Sequence, residues 1–293
     1  MAKKGLSEQT RVIDNIIAFF LTLLCLTCIL PFLHLLVKSI STDTYVIAKQ
    51  VFFWPKGITL DAYKSVIEDG KLVHSFFYTV YMTSNFTVLG LVSCIAASYP
   101  LSKSRLRGKK VFTFFLMVPM YFSAGLIPSY LLMRQYGLLD SMWVLIWPLI
   151  FSPYNMLIMK NYFQSTIPES MEESAYLDGA SNLQILFKIV LPLSKPILAT
   201  IGLFYAVGRW NAYADAIYYI KKESVMPVQQ MLSRMVSSAS DTQTMALEAV
   251  TNTTTPEVLQ AASIMLVTIP IILIYPFIQK YFVKGAMIGA VKG

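Results

Sequence analysis

From Asn15 to Val37 the chain carries no Asp, Glu, Lys or Arg over 23 residues. As a helix this run is about 35 Å long at ~1.5 Å per residue, enough to cross a hydrocarbon core of about 30 Å. Five more apolar runs follow, and together they predict spans at about 15–37, 76–97, 111–133, 141–159, 196–214 and 258–279. Charged residues make up 14% of the chain, where a soluble domain carries about 25%. The deficit means that much of the helical surface faces lipid. The expected fold class is an all-α integral membrane protein with six transmembrane helices.

The net charge of +8 does not point to nucleic acid, because the cations gather in short links between apolar runs rather than on one polar face. That distribution writes membrane topology. Lys3, Lys4 and Arg11 precede the first run. Lys103, Arg105, Arg107, Lys109 and Lys110 fill the second link, and Lys280, Lys284 and Lys292 follow the last run. Six spans place these three clusters on one side, which is therefore read as cytoplasmic, with both termini there. The first link, Lys38–Lys71, has five lysines but also four acids and is longer, so its pull is weaker. It is too polar to span and is expected to pack at the interface.

The organisation expected is a cytoplasmic segment 1–14, a membrane domain 15–282 and a cytoplasmic tail 283–293. The basic N-terminus lacks a signal-peptide cleavage pattern, and the apolar run after it is too long for a signal core, so it reads as a span that stays attached. Cys25 and Cys28 form C-x-x-C but read as small apolar residues one helical turn apart, since no further Cys or His completes a ligand set.

The segment Glu169–Pro192 is neither apolar enough to span nor loose enough to be a linker. Glu169, Glu172, Glu173 and Asp178 lie within ten residues. Pro168 suits a first helical position, and acids there favour the positive end of a helix dipole. Gly179 supplies a turn as at a helix C′ position. Ser181-Asn182 can cap a second helix, Leu183–Val190, which Leu191-Pro192 ends. The cytoplasm would then see two short helices at an angle. Such a pair serves either as a knob for a partner's cleft or as an amphipathic element in the headgroups. Acids on its polar face, where interfacial helices prefer Lys and Arg, tilt toward a protein partner.

Glu173-Ser174-Ala175, Gly179, Ile189 and Leu191-Pro192 resemble the E-A-A-x3-G-x9-I-x-L-P signature of permease subunits of ABC importers. Ser174 stands where the family usually has alanine. Asp178-Gly179-Ala180 and the run from Gln279 to Gly293 look like the carbohydrate-uptake branch, in particular the second permease subunit of maltose-type importers. The resemblance implies a heterodimer with a second homologous permease, two cytoplasmic ATPase subunits that hold ATP and Mg, and an external sugar-binding protein. This chain would need no cofactor of its own. It would lie in a bacterial cell membrane as a multi-pass subunit importing a sugar, an oligosaccharide in particular.

The resemblance further assigns ATPase coupling to Glu172, Glu173, Ser174, Ala175, Asp178, Gly179, Ala180, Ile189, Leu191 and Pro192. Within that set Glu173 is the charged contact, Ala175 the close packing and Gly179 the turn. Gly289, Val291, Lys292 and Gly293 form a second ATPase contact in the tail. The chain contains no G-x-x-x-x-G-K-[ST] phosphate loop and should not bind ATP itself.

Arg209, in Gly208-Arg209-Trp210-Asn211, is a charge at membrane depth, which marks a functional hypothesis. The substrate-pathway candidates are Arg209, Trp210, Asn211, Tyr205, Tyr213 and Asn155, with Tyr154 beside them. The alternative is an interfacial Arg-Trp belt with the cation reaching water. The stretch 215–257 is either a dock for the binding protein or a flexible solvated loop. An ABC permease for a non-sugar solute and a stand-alone secondary transporter remain as rivals. The second would need ion-coupling carboxylates inside its spans, and none is found there. An enzyme is disfavoured because His34 and His74 are isolated and no nucleophile–base pair occurs at plausible spacing.

Overall fold

The computed structural model describes residues 2–245 and 255–290, with side chains over 13–237 and 255–276. Its helices, in chain order, are α1 Ala2–Ser39, α2 Asp43–Ile47, α3 Asp61–Asp69, α4 Lys71–Ser102, α5 Lys109–Tyr121, α6 Leu126–Gln135 and α7 Pro153–Thr166. Then come α8 Glu169–Leu177, α9 Asn182–Leu193, α10 Lys195–Asn211, α11 Ala214–Tyr219, α12 Val228–Met245 and α13 Pro256–Ala290. Among the described residues no strand forms, and the one isolated bridge is Ser41 with Ile58.

Ile13–Ser39, Lys71–Ser102 and Pro256–Pro276 are each long and apolar enough to cross a bilayer unbroken. The third expected run is broken: α5 and α6 meet at 110°. Pro119 lacks a donor for the helical ladder, and Gly125, at φ +84°, turns the chain before α6 begins. The fourth, 141–159, is not one helix. A 3-10 turn, Met142–Leu145, precedes Pro148, and α7 begins only at Pro153, capped by the Ser152 side chain. Pro153 sits at the start of a helix, where its missing N–H costs nothing. The fifth run is α10, which meets α9 at 82°. The stretch 215–257, expected to be a polar loop, carries most of α11 and all of α12.

Two compact units divide the chain: Met1–Leu72 with Arg234–Ile269, and Val73–Ser233 with Pro270–Gly293. In the first, Val37, Val46, Val51, Ala62, Val258 and Ala262 form a buried cluster. Lys38 bridges to Glu257 at 2.5 Å beside it. In the second, α7 packs on α5 and α10. There α4 and α10 meet through small residues. A Cβ at Gly90 would come within 2.7 Å of the Tyr205 ring, and one at Gly202 within 3.3 Å of Leu91. Glycine at these positions lets two membrane helices approach closely.

Candidate coupling site

The acidic segment folds as two short helices joined by a tight turn. α8 starts one residue after Pro168, with Glu169 and Glu172 in its first turn. It ends in a Schellman arrangement: Ala180 N–H donates to Ala175 O at 2.9 Å and Gly179 N–H to Tyr176 O at 3.0 Å. Gly179 holds φ +81°, a conformation that costs glycine little. Ser181 then opens α9 with a reciprocal cap. Its hydroxyl accepts from Gln184 N–H at 3.4 Å, and Gln184 Oε1 accepts from Ser181 N–H at 2.8 Å. The second helix does not stop at Pro192 but runs to Leu193 through a π turn, Leu186–Val190. Leu191 N–H there reaches back to Leu186 O, and Pro192 has no N–H to offer.

One side of this pair is held by the link after α4. Lys103, half-buried, pairs with the buried Glu172. The Lys103 ammonium also lies 4.2 Å from the centre of the Tyr99 ring. Ser104 donates to Glu169. Arg105 lies 4.3 Å from the Tyr176 ring centre, donates to the Tyr176 hydroxyl, and donates to Asn182 Oδ1 at 2.5 Å. Tyr176 donates to the same Asn182 oxygen. Arg105 and its partners therefore tie α8 to the start of α9. Behind the ion pair is a cleft of about 450 Å³ lined by Lys103, Lys109, Gln164, Glu169 and Glu172. Lys109 and Gln164 donate to the carbonyl of Ser102 at 3.4 and 3.1 Å, satisfying the end of α4.

The other side is bare. Glu173, Ser174, Asp178 and Gly179 are exposed, and Leu177 is 90% exposed at the turn. Leu183 and Phe187 continue the exposed apolar strip along α9. Ala175, Ala180, Ile189 and Leu191 are half-buried, and Pro192 is exposed. The cluster thus separates into an anchored face and a presented face, with Glu172 on the first and Glu173 on the second. Of the expected tail contacts, Val291, Lys292 and Gly293 lie outside the described residues. Gly289 falls in α13 where only the backbone is described.

Arg209 does not reach water as a belt residue would. It is 2% exposed and pairs with Asp215 through two contacts of 2.6 and 2.9 Å. It also donates to Leu145 O at 3.3 Å and to Ala212 O at 3.1 Å. The arrangement closes the end of α10 onto α11 and onto the 3-10 turn before α7. Tyr205 is buried and donates to Ile150 O at 2.9 Å. Asn155 is buried near it. Trp210 meets Phe76 edge-to-face at 5.6 Å. Asn211, Tyr213 and Tyr154 are exposed. The structure thus brings the side chains of Tyr205 and Asn155 together.

Residues 72–287, which contain both arrangements, match the family of binding-protein-dependent transport system inner membrane components. The chain belongs to that family. It is 40% identical over 286 residues to the polygalacturonan/rhamnogalacturonan transport system permease protein YtcP of Bacillus subtilis, covering 97% of this chain and all of that one. It is 39% identical to protein LplC of the same organism, over 98% of this chain and 97% of the other. A solved bacterial ABC transporter involved in the import of the acidic polysaccharide alginate superposes with a TM-score of 0.83. That match is 36% identical and covers 93% of this chain and 97% of that one. As a family member the chain is a membrane-embedded transport subunit and not an enzyme.

For this permease, sequence reasoning missed Lys103, Ser104 and Arg105 as partners of the coupling segment. It read them only as topological charge. A signal existed: five cations and four acids assigned to the same side of the membrane are expected to find one another. Asp215 was also missed as the partner of Arg209, although it lies only six residues on.

Proposed function

We propose that this chain is the permease subunit of an ATP-driven importer, and that it carries an oligosaccharide inward with Glu169–Pro192 as its dock for an ATPase subunit. The observation that carries the reading is the division of that segment into an anchored face and a presented face. A helix pair fixed at Glu172, Tyr176 and Asn182, with Glu173 and Leu177 outermost, can transmit a push from a partner without folding away from it. ATP and Mg act in the ATPase; this chain converts closure there into a change of access. Six spans with both termini cytoplasmic put the dock on the ATPase side, the broken runs 111–133 and 141–159 each counting as one passage. A second homologous permease completes the pathway, and a binding protein delivers the sugar from outside. The tail, through Gly289, Val291, Lys292 and Gly293, is a second ATPase contact. Two of the relatives are named for acidic polysaccharides, which makes uronate-containing chains the class to try first.

In the assembled importer, Glu173→Lys is expected to abolish uptake and weaken co-purification of the ATPase while the two permeases stay paired. Unchanged uptake in that variant would remove the coupling role. Substrate class is read by competition: unlabelled oligouronates should block uptake of a labelled oligouronate, and neutral chains of equal length should not.

A further inference from the structure

The first link carries an aromatic tip whose position relative to the bilayer can be read from α1. Every side chain from Ile13 to Leu33 on α1 is exposed, and cover begins at His34. The uncharged bare part, Asn15–Leu33, has 19 residues. At ~1.5 Å per residue that is about 28 Å, close to the ~30 Å thickness of a hydrocarbon core. His34 therefore stands where hydrocarbon gives way to headgroups.

The group that covers it belongs to the link. His34 Nδ1–H donates to the Phe52 carbonyl at 3.0 Å. The link is pinned at its base, where Thr59 N–H donates to Ile40 O at 3.0 Å and Thr42 N–H to Gly57 O at 2.9 Å. Gly57 takes φ +63° there, and a Cβ on it would collide with Thr42. Val51 is buried in the core cluster. From these fixed points the chain folds back along α1, away from its end at Ser39, and turns Phe52, Phe53 and Trp54 outward. Trp54 is 81% exposed and Phe53 66%. Lys49 and Lys56, both exposed, flank the tip.

We propose that Phe52, Phe53 and Trp54 form an interfacial anchor that inserts among the lipid headgroups of the leaflet in which α1 ends. Aromatic rings are favoured at that depth, and flanking lysines extend to phosphates. A docking protein would meet residues further out, beyond Ser39. The tip instead reaches back to the hydrocarbon boundary. The inference rests on the link and α1 alone, and holds whichever side of the membrane the termini occupy.

The test uses the complete importer in lipid nanodiscs, with Cys25 and Cys28 replaced by serine. A spin label is placed by Phe53→Cys, by Trp54→Cys in a second preparation, and by Glu68→Cys on exposed α3 as an aqueous reference. Collision rates with oxygen, which concentrates in lipid, and with a water-soluble nickel chelate are compared. The expected result is an oxygen-to-nickel ratio several-fold higher at 53 and 54 than at 68. A ratio equal to that at 68 would overturn the proposal. So would a tip shielded from both reagents, or one shielded only when the binding protein is present, because each makes the contact something other than lipid.

Discussion

Glu172 and Glu173 are neighbours in sequence and opposite in environment. Glu172 is buried against Lys103, and Glu173 stands free on the presented face. Removing one partner of a buried ion pair leaves a desolvated charge and costs about 3–5 kcal/mol. Lys103→Ala is therefore expected to loosen α8 and lower the transport achieved per ATP hydrolysed. The exchange Lys103→Glu with Glu172→Lys should restore much of it, read as uptake and hydrolysis in the same vesicles. The same logic applies to Arg209. Asp215→Ala should sharply reduce the yield of folded permease, while Arg209→Met with Asp215→Ala should recover it, because no buried charge is left alone. A recovered yield with normal uptake would assign Arg209 to the scaffold rather than to the sugar.

Asp140 offers a pH test. Its carboxylate accepts N–H bonds from Lys221 at 2.5 Å and Lys222 at 2.9 Å, which hold its pKa below the ordinary value of 3.8. Folding thus favours the charged form. The stabilisation is complete above the ordinary carboxylate range and is lost as pH falls through the lowered value. Asp140→Asn should remove the acid sensitivity of the contact between this turn and residues 221–222, measured by proteolysis of the turn across pH 2 to 5 (about the carboxylate range).

At the scale of elements, the end of α8 and the start of α9 were legible because capping is local chemistry. Gly179 and Ser181 announce a turn and a start wherever they stand, and both took those roles. The link that anchors the pair was not legible in the same way. Lys103 and Glu172 are 69 residues apart, and nothing in either neighbourhood names the other. Apolar length likewise identified lipid-facing stretches but not continuity. The run 141–159 reads as one span on composition, yet Pro148 and Pro153 divide it. Serine, threonine and glutamine made 215–257 look loop-like, although Val228–Met245 is helical.

Gly179 supplies the element-scale prediction. No atom lies within 4 Å of a Cβ placed there, so substitution costs backbone strain alone, about 1–2 kcal/mol for a side chain in the left-handed region. Gly179→Asn should retain more uptake than Gly179→Ala, since Asn tolerates that region. Equal loss in the two variants would mean that the ATPase, rather than the turn, requires glycine.

For the whole molecule, the apolar runs put the chain in a membrane, and the match over residues 72–287 puts it in a transport system. In the proposed function, Glu169–Pro192 joins these facts into a machine by acting as a rigid handle on the cytoplasmic side. The exposed tip of that handle is Leu177. The most direct measurement is to place a photo-activated benzophenone amino acid at position 177 in the complete importer, irradiate the membranes, and identify the adduct by mass. The expected result is a covalent product between this permease and the ATPase subunit, changed in yield when a non-hydrolysable ATP analogue closes the ATPases. A product formed only with lipid, or with no ATPase under either condition, would contradict it.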